Sequence, residues 1–353
     1  MVRWGAMGVD RQVRIGEKLL GVGLPPLVQT MYDEPIPHDG EALDALIRRI
    51  GSLNAMGCDI IRFSYPSSDD RIPFSYLCAK SPIPVVADIH FDHRLALEAL
   101  EAGAHKIRIN PGNVGARWKV DEILASAKDH GAAIRIGLNS GSLPKGNEEP
   151  AILMSNTALT YLDWFEQAGF TDTVVSLKAS DETVTVEANR RFASQSGYPL
   201  HLGVTEAGSV VSSVVRSTWA LGLLLSEGIG STLRISITGP IETEVQAGVE
   251  LLRTLGLRKR GIRIVSCPRC GRSTFDSQGF LASVEQDLLS IDKDLTVAIM
   301  GCQVNGPGEA KSADIAITGI GNAIFLYKGG KLERKVGAGE AKAALLEAVR
   351  NAE

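Results

Sequence analysis

Ala99-Leu-Glu-Ala-Gly103-Ala-His-Lys106-Ile-Arg108-Ile-Asn110-Pro111 decides the fold of this chain. A helical stretch stops at a glycine, and an apolar strand with a polar end follows within a few residues. Glycine suits the stop because the residue after a helix often takes a left-handed conformation. The same unit recurs around Gly57, Gly131, Gly169, Gly197 and Gly228. It predicts strands over 27–30, 59–64, 85–90, 106–111, 133–139, 173–179, 200–206 and 232–238. Between them the apolar residues fall at helical spacing, as in Leu43, Leu46, Ile47, Ile50 and Leu53. Eight such units over about 250 residues imply a (β/α)8 TIM barrel filling residues 1–255. The competing fold is an open doubly wound sheet. It would usually carry a Gly-x-Gly-x-x-Gly loop after the first strand, and none is present there.

In a barrel, the C-terminal strand ends face the active site. Here those ends are polar: Arg62 and Ser64, Asp88 and His90, Arg108 and Asn110, Arg135 and Asn139, Lys178, Thr205 and Glu206, Arg234 and Ser236. Period two puts Arg108 with Asn110, and Arg234 with Ser236, on one face. Five cations therefore converge on one mouth. Burying them costs free energy unless an anion neutralises them. Diphosphate fits, because arginine forks match phosphate oxygens. The plainer alternative pairs each cation with a local acid, but the strand ends supply few, Asp88 and Glu206. Glu206, beside an anionic substrate, would hold its proton more tightly and deliver it. Asp88 and His90 would orient substrate hydroxyls.

Arg253, Arg258, Lys259, Arg260 and Arg263 form a basic stretch, read as a linker over 256–263. Beyond it, 264–353 reads as a small α+β domain. Strands are expected over 263–266, 295–300, 315–318 and 323–327, helices over 281–289 and 341–349, and a turn at Lys328-Gly-Gly-Lys331. This domain carries Cys267-Pro-Arg-Cys270 and Gly301-Cys302-Gln-Val-Asn305-Gly-Pro-Gly-Glu309. A zinc ribbon needs a second cysteine pair, and Cys302 stands alone. Three thiolates and a carboxylate suit a [4Fe–4S] cluster better, with Glu309 on the exchangeable iron. Zinc, and unligated core cysteines, remain the alternatives. Cys58 and Cys78 read as buried thiols.

With 353 residues, 44% of them hydrophobic, the chain can bury two cores. Its net charge of -4 argues against a general nucleic-acid binder, so any anion site is local. The apolar run 219–225 is too short to span a bilayer. The first ten residues, MVRWGAMGVD, lack a signal-peptide pattern, and five cysteines make no disulfide framework. The expectation is a cytoplasmic protein with no membrane partner.

Several stretches together resemble the 4-hydroxy-3-methylbut-2-enyl diphosphate synthase family of the non-mevalonate isoprenoid pathway. They are Val86-Ala-Asp-Ile-His-Phe-Asp92, Arg108-Ile-Asn-Pro-Gly-Asn113, Arg135-Ile-Gly-Leu-Asn139, Lys178-Ala-Ser-Asp181, His201-Leu-Gly-Val-Thr-Glu-Ala-Gly208, Leu223-Leu-Leu-Ser-Glu-Gly-Ile-Gly230, and the two cysteine motifs. The resemblance implies that 2-C-methyl-D-erythritol 2,4-cyclodiphosphate is reductively opened by two electrons from a ferredoxin or flavodoxin. It implies a [4Fe–4S] cluster on Cys267, Cys270, Cys302 and Glu309. It also implies substrate contacts at Arg62, Asp88, His90, Arg108, Asn110, Arg135, Asn139, Lys178, Thr205, Arg234 and Ser236. Glu206 becomes the catalytic acid, and Asn305 sits beside the cluster. The implied assembly is a head-to-tail homodimer, the cluster domain of one subunit capping the barrel of the other. The long insert domain of plant-type members is expected to be absent, because strand eight leads almost directly to the linker. It departs from the family at Gln29-Thr-Met-Tyr-Asp-Glu-Pro35 and at Arg62-Phe-Ser-Tyr-Pro66, where bulkier walls would alter how substrate is enclosed. Two rival functions stay open: a non-redox hydro-lyase, and a sensor whose barrel binds a metabolite without turning it over.

Overall fold

The computed structural model describes residues 9–143, 148–206, 208–259, 261–271, 273, 275–302, 306–320 and 323–352. They divide into two compact units, Met1–Arg258 and Lys259–Glu353. Of the linker expected over 256–263, Leu257 is buried in the first core and Arg258 Nη1 lies 2.8 Å from Asp59 Oδ2. Arg260 lies outside the described residues.

The first unit opens with a hairpin, β1 (Gln12–Ile15) and β2 (Lys18–Gly21). Eight parallel strands follow: β3 (Leu27–Met31), β4 (Ile60–Ser64), β5 (Val85–Asp88), β6 (Lys106–Ile109), β7 (Ala133–Asn139), β8 (Thr173–Lys178), β9 (His201–Leu202) and β10 (Thr232–Leu233). Their order is β8-β7-β6-β5-β4-β3-β10-β9, and a bridge between Val175 and Leu200 closes the sheet on itself. This is the expected (β/α)8 barrel, not an open sheet.

Alternation along the strands explains its two cores. Outward residues such as Ile61, Phe63, Ile107 and Ile109 pack under the helices. Inward residues near the strand starts, Ile60, Val86, Ala133 and Val174, pack on Val13, Ile15 and Leu20 of the hairpin. The hairpin therefore plugs the N-terminal end of the barrel and leaves the C-terminal end to the polar residues. Helix starts are set by Asp39, Asp92 and Asp181, whose side chains accept from Ala42, Arg94 and Val184 backbone N–H groups. Two acids of the quoted motifs, Asp92 and Asp181, are thus caps.

Five of the six expected helix-stop glycines have left-handed backbones: Gly57, Gly103, Gly131, Gly169 and Gly228. Gly197 does not. A Cβ there would come within 2.1 Å of Asp10 Oδ1, so this glycine makes room for the chain leading into β1.

β9 and β10 are shorter than the expected 200–206 and 232–238. Glu206 has φ 54, which no strand tolerates. Ile237 N donates to the Glu244 carboxylate, and Thr238 N to Gly208 O, in place of ladder partners.

The second unit is a five-stranded sheet of β11 (Ile262–Ser266), β12 (Leu295–Met300), β13 (Ile315–Ile320), β14 (Ala323–Lys328) and β15 (Lys331–Val336), in that order. The first three are parallel and the last two antiparallel. The helices Ser277–Leu289 and Ala341–Arg350 share one core with Val297, Ile299, Ile315 and Ile317. Gly329 and Gly330, both at positive φ, make the β14–β15 turn. The charged β15 was not expected as a strand; its exposed Lys331, Glu333, Arg334 and Lys335 suit a sheet edge. Among the described residues, no helix is long and apolar enough to cross a membrane.

Candidate active site

Strand register decides which side chains enter the barrel mouth. Arg62 pairs with Val86, Asp88 with Arg108, Arg108 with Arg135, and Asn139 with Lys178. The polar ones, Arg62, Asp88, Arg108, Arg135, Asn139 and Lys178, line a cavity of about 150 Å³ together with His90, Ser176, Thr205, Arg234 and Ser236. It adjoins a wider one of about 540 Å³, lined by Asn139, Ser140, Gly141, Ser180, Thr205, Glu206, Arg234 and Ser236. All five expected cations therefore meet at one mouth, with Asp88, His90, Asn139, Thr205 and Ser236. Glu206 stands at the wider, exposed part.

One expected residue is placed otherwise. Asn110 lines neither cavity; it caps the helix Pro111–Val114, its side chain accepting from Gly112 N at 3.1 Å. Asn305 lies outside the described residues. The bulky departures do not wall the cavity either. Tyr32 and Phe63 stack with ring centres 5.3 Å apart, and Tyr65 meets Phe74 at 5.2 Å, all in the outer core. Phe63 alternates with inward Arg62, so its bulk points away from the mouth.

Acids arrange some of the cations. Asp88 lies 3.3 Å from Arg108 Nη1 and 3.9 Å from Arg62 Nε and from His90 Nε2. Burial alone would raise the Asp88 pKa, but Arg62 and Arg108 outweigh it and hold the carboxyl below the usual range. Asp88 thus faces the guanidiniums and also lines the cavity itself. Arg234 is gripped by Glu244, Nε to Oε2 at 2.9 Å and Nη2 to Oε1 at 2.8 Å. Glu244 also accepts from Thr30 Oγ1 at 2.7 Å. It sits on the helix Ile241–Thr254, away from the strand ends, so a search of those ends missed it.

The remaining cations are less compensated. Arg135 is 1% exposed, and among the described residues its Nε and Nη1 have no hydrogen-bond partner. Burial, then repulsion from Arg62 and Arg108, pushes its pKa well below the arginine value. Burial also pulls Arg62 down to about 10. Lys106, another inward cation the strand-end reading missed, is fully buried and donates to Gln29 Oε1 at 3.0 Å. Six cations thus share Asp88 and Glu244, an electrostatic vacancy for a multiply charged anion. Glycines make the room: a Cβ on Gly137 would come within 2.3 Å of Arg108 Nε.

In the second unit, the cysteines flank the ends of β11 and β12. Cys267 N donates to Ile299 O, extending the parallel pairing past Ser266. Ser277 Oγ donates to Cys267 O at 3.3 Å, and Ser273 Oγ to Gly301 O at 3.1 Å, tying the two loops together. Cys302 is buried, Cys270 is exposed, and none of the three is in a disulfide. Glu309 is exposed on the helix Gly306–Ser312. Among the described residues, no three His, Cys, Asp or Glu side chains are gathered closely enough to hold a metal ion. The donor types and the adjacent strand ends suit a thiolate-held centre. Cys58 lies in the barrel core as expected, whereas Cys78 is half-buried against it; desolvation pushes both thiols up to about 12.

Residues 10–249 match the GcpE TIM-barrel domain, and residues 263–351 the GcpE protein C-terminal domain. The chain is 43% identical over 344 residues to the 4-hydroxy-3-methylbut-2-en-1-yl diphosphate synthase (flavodoxin) of Geobacter sulfurreducens, covering 96% of each. It is also 43% identical to the protein of that name from Treponema denticola, covering 93% of this chain and 92% of that one. The 7,8-dihydropteroate synthase of Vibrio fischeri ES114 shares the fold alone, with a TM-score of 0.52 at 12% identity over 70% of this chain and 99% of its own. With both family domains matched in order and the barrel mouth built as described, the chain belongs to the GcpE family of 4-hydroxy-3-methylbut-2-en-1-yl diphosphate synthases.

Proposed function

We propose that this chain converts 2-C-methyl-D-erythritol 2,4-cyclodiphosphate to (E)-4-hydroxy-3-methylbut-2-enyl diphosphate. Two electrons and two protons enter, one carbon–oxygen bond to the diphosphate opens, and one hydroxyl leaves as water. The observation that carries this reading is the excess of buried cations at the barrel mouth, lining a cavity shared with neutral hydrogen-bonding side chains.

Arg62, Arg108, Arg135, Lys178 and Arg234 neutralise the diphosphate. Asp88 and Glu244 fix the guanidinium planes of Arg108 and Arg234. Asn139, Ser176, Thr205 and Ser236 meet the uncharged oxygens. Glu206, at the wider part of the mouth, protonates the departing hydroxyl. Cys267, Cys270, Cys302 and Glu309 would hold a [4Fe–4S] cluster, which when bound supplies single electrons and Lewis acidity. The relatives' names favour flavodoxin as donor over ferredoxin. Anaerobically reconstituted protein is expected to hold about four irons and four sulfides per chain and to turn over the cyclodiphosphate with reduced flavodoxin. Stoichiometric zinc with no iron would sink the cluster. Turnover without an electron donor would point to a hydro-lyase instead.

A homodimer belongs to the same reading. Val211, Val215, Trp219 and Leu223 run at four-residue spacing along the helix Val210–Ser226 and are exposed, an apolar stripe that an assembly would cover. If sites are shared head to tail, co-expressing a Lys178→Ala subunit with a Cys302→Ala subunit restores activity. Random pairing makes half the dimers mixed, each with one intact site, so about a quarter of wild-type activity is expected. No recovery would mean that each chain works by itself.

A further inference from the structure

His201 opens one of the quoted motifs, lines neither cavity, and has no part in the reaction as drawn. It is wholly buried. Its Nε2 lies 3.1 Å from Lys178 Nζ, and its Nδ1 lies 2.7 Å from Thr232 Oγ1. An ammonium has three donors and no acceptor. Opposite a charged Lys178, Nε2 must therefore be the bare nitrogen, and Nδ1 carries the hydrogen and donates it to Thr232. Two residues on, Gly203 faces the same side. A Cβ there would come within 2.7 Å of Lys178 Nζ. Gly203 is not left-handed, so it serves space rather than backbone conformation. The chain at β9 thus builds a socket for one amine, with an acceptor on one side and a gap on the other.

We propose that His201, backed by Thr232, is a positioning residue that aims the Lys178 ammonium at the diphosphate and keeps its proton in place. This rests on the anion-binding reading of the cavity. Arg62 from β4, Arg108 from β6, Arg135 from β7 and Arg234 beyond β10 act on Lys178, and Lys106 from β6 acts on His201, against Asp88 in the same cavity and Glu244 on Arg234. Without an anion, burial and then Arg135, Arg62, Arg234 and Arg108 hold the Lys178 pKa well below the lysine value. Burial and Lys178 likewise hold His201 well below the imidazole value, so it stays neutral and accepting. A bound diphosphate reverses the balance and favours the ammonium form of Lys178. The free-state pKa is the lower one, so affinity falls as pH rises from that value towards the ordinary lysine value. Losing the His201 acceptor lowers the free-state pKa further and moves this fall to lower pH.

The test is calorimetric titration of inorganic pyrophosphate from about pH 7 to 9, in buffers of different ionisation enthalpy that report proton uptake. Wild type is expected to bind with proton uptake. His201→Leu should bind roughly tenfold more weakly, with its fall in affinity at lower pH. His201→Gln, whose amide oxygen replaces Nε2 as acceptor, should stay within about threefold of wild type. Gly203→Ala, which crowds the amine, should weaken binding with His201 intact. His201→Leu at wild-type affinity and pH dependence, or His201→Gln as weak as His201→Leu, overturns the proposal. Lys178→Ala separates the two levels. Loss there with none in His201→Leu removes the role of His201 alone, and no loss there removes the anion-binding reading itself.

Discussion

Glu206→Gln is expected to lower cyclodiphosphate turnover by about 10²- to 10⁴-fold, the usual contribution of a general acid, with iron content, visible spectrum and KM near wild type. Glu206 and Arg269 are the non-glycine residues at positive φ among those described, and Glu206 stands at φ 54. Such a backbone costs about 1–3 kcal/mol at a non-glycine residue and persists where the surroundings demand it. Here the turn takes the chain out of β9 and sets the carboxyl at the edge of the wider cavity, beside Thr205 and Ser236. Glutamine keeps the shape and the polar contacts but cannot release a proton in the step that expels the hydroxyl. Glu206→Gly separates chemistry from strain. It relieves the left-handed backbone, so its melting temperature should equal or exceed that of wild type while its turnover is lost. A Glu206→Gln enzyme at wild-type rate would make the residue structural.

The barrel was legible because its unit is written in local physics: a helix period, a glycine stop, then an apolar run. Arg62, Arg108, Arg135, Lys178 and Arg234 were found by one step of geometry, since period two and strand ends place them without a structure. Ser176 follows from the same period, two residues before Lys178, and could have been read. Glu244 and the β1–β2 hairpin could not. Glu244 reaches Arg234 from a helix, and nothing local says that it faces inward. The hairpin is half apolar and short, and its role is to cover the start of the barrel, which depends on closure of the whole sheet. Phe63 and Tyr65 misled for the opposite reason. Their bulk suggests walls of the mouth, but the alternation that places Arg62 inward turns them outward.

Arg135→Met is expected to give a protein more stable than wild type that has lost most of its affinity for pyrophosphate. Arg135 is the largest side chain buried to this degree, and two of its nitrogens have no acceptor. Asp88 is already divided between Arg62 and Arg108, so among the described residues Arg135 lacks a carboxylate of its own within ion-pair distance. Exchanging an uncompensated buried charge for an apolar side chain of similar length stabilises by about 1–4 kcal/mol, seen as a rise in melting temperature of the anion-free protein. The same exchange removes a desolvated fork from the diphosphate site. A loss of about 2–5 kcal/mol on truncating such a partner corresponds to roughly 30- to 4,000-fold in Kd. Ligand linkage then requires the two proteins to cross. At saturating pyrophosphate the wild type gains stability and the variant gains little, so the order of melting temperatures reverses. If Arg135→Met melts lower than wild type in both conditions and still binds, the guanidinium is a structural element of the core. A crossover would instead show that the barrel keeps a destabilising charge in its mouth because the anion, when it arrives, supplies the partner that the fold withholds.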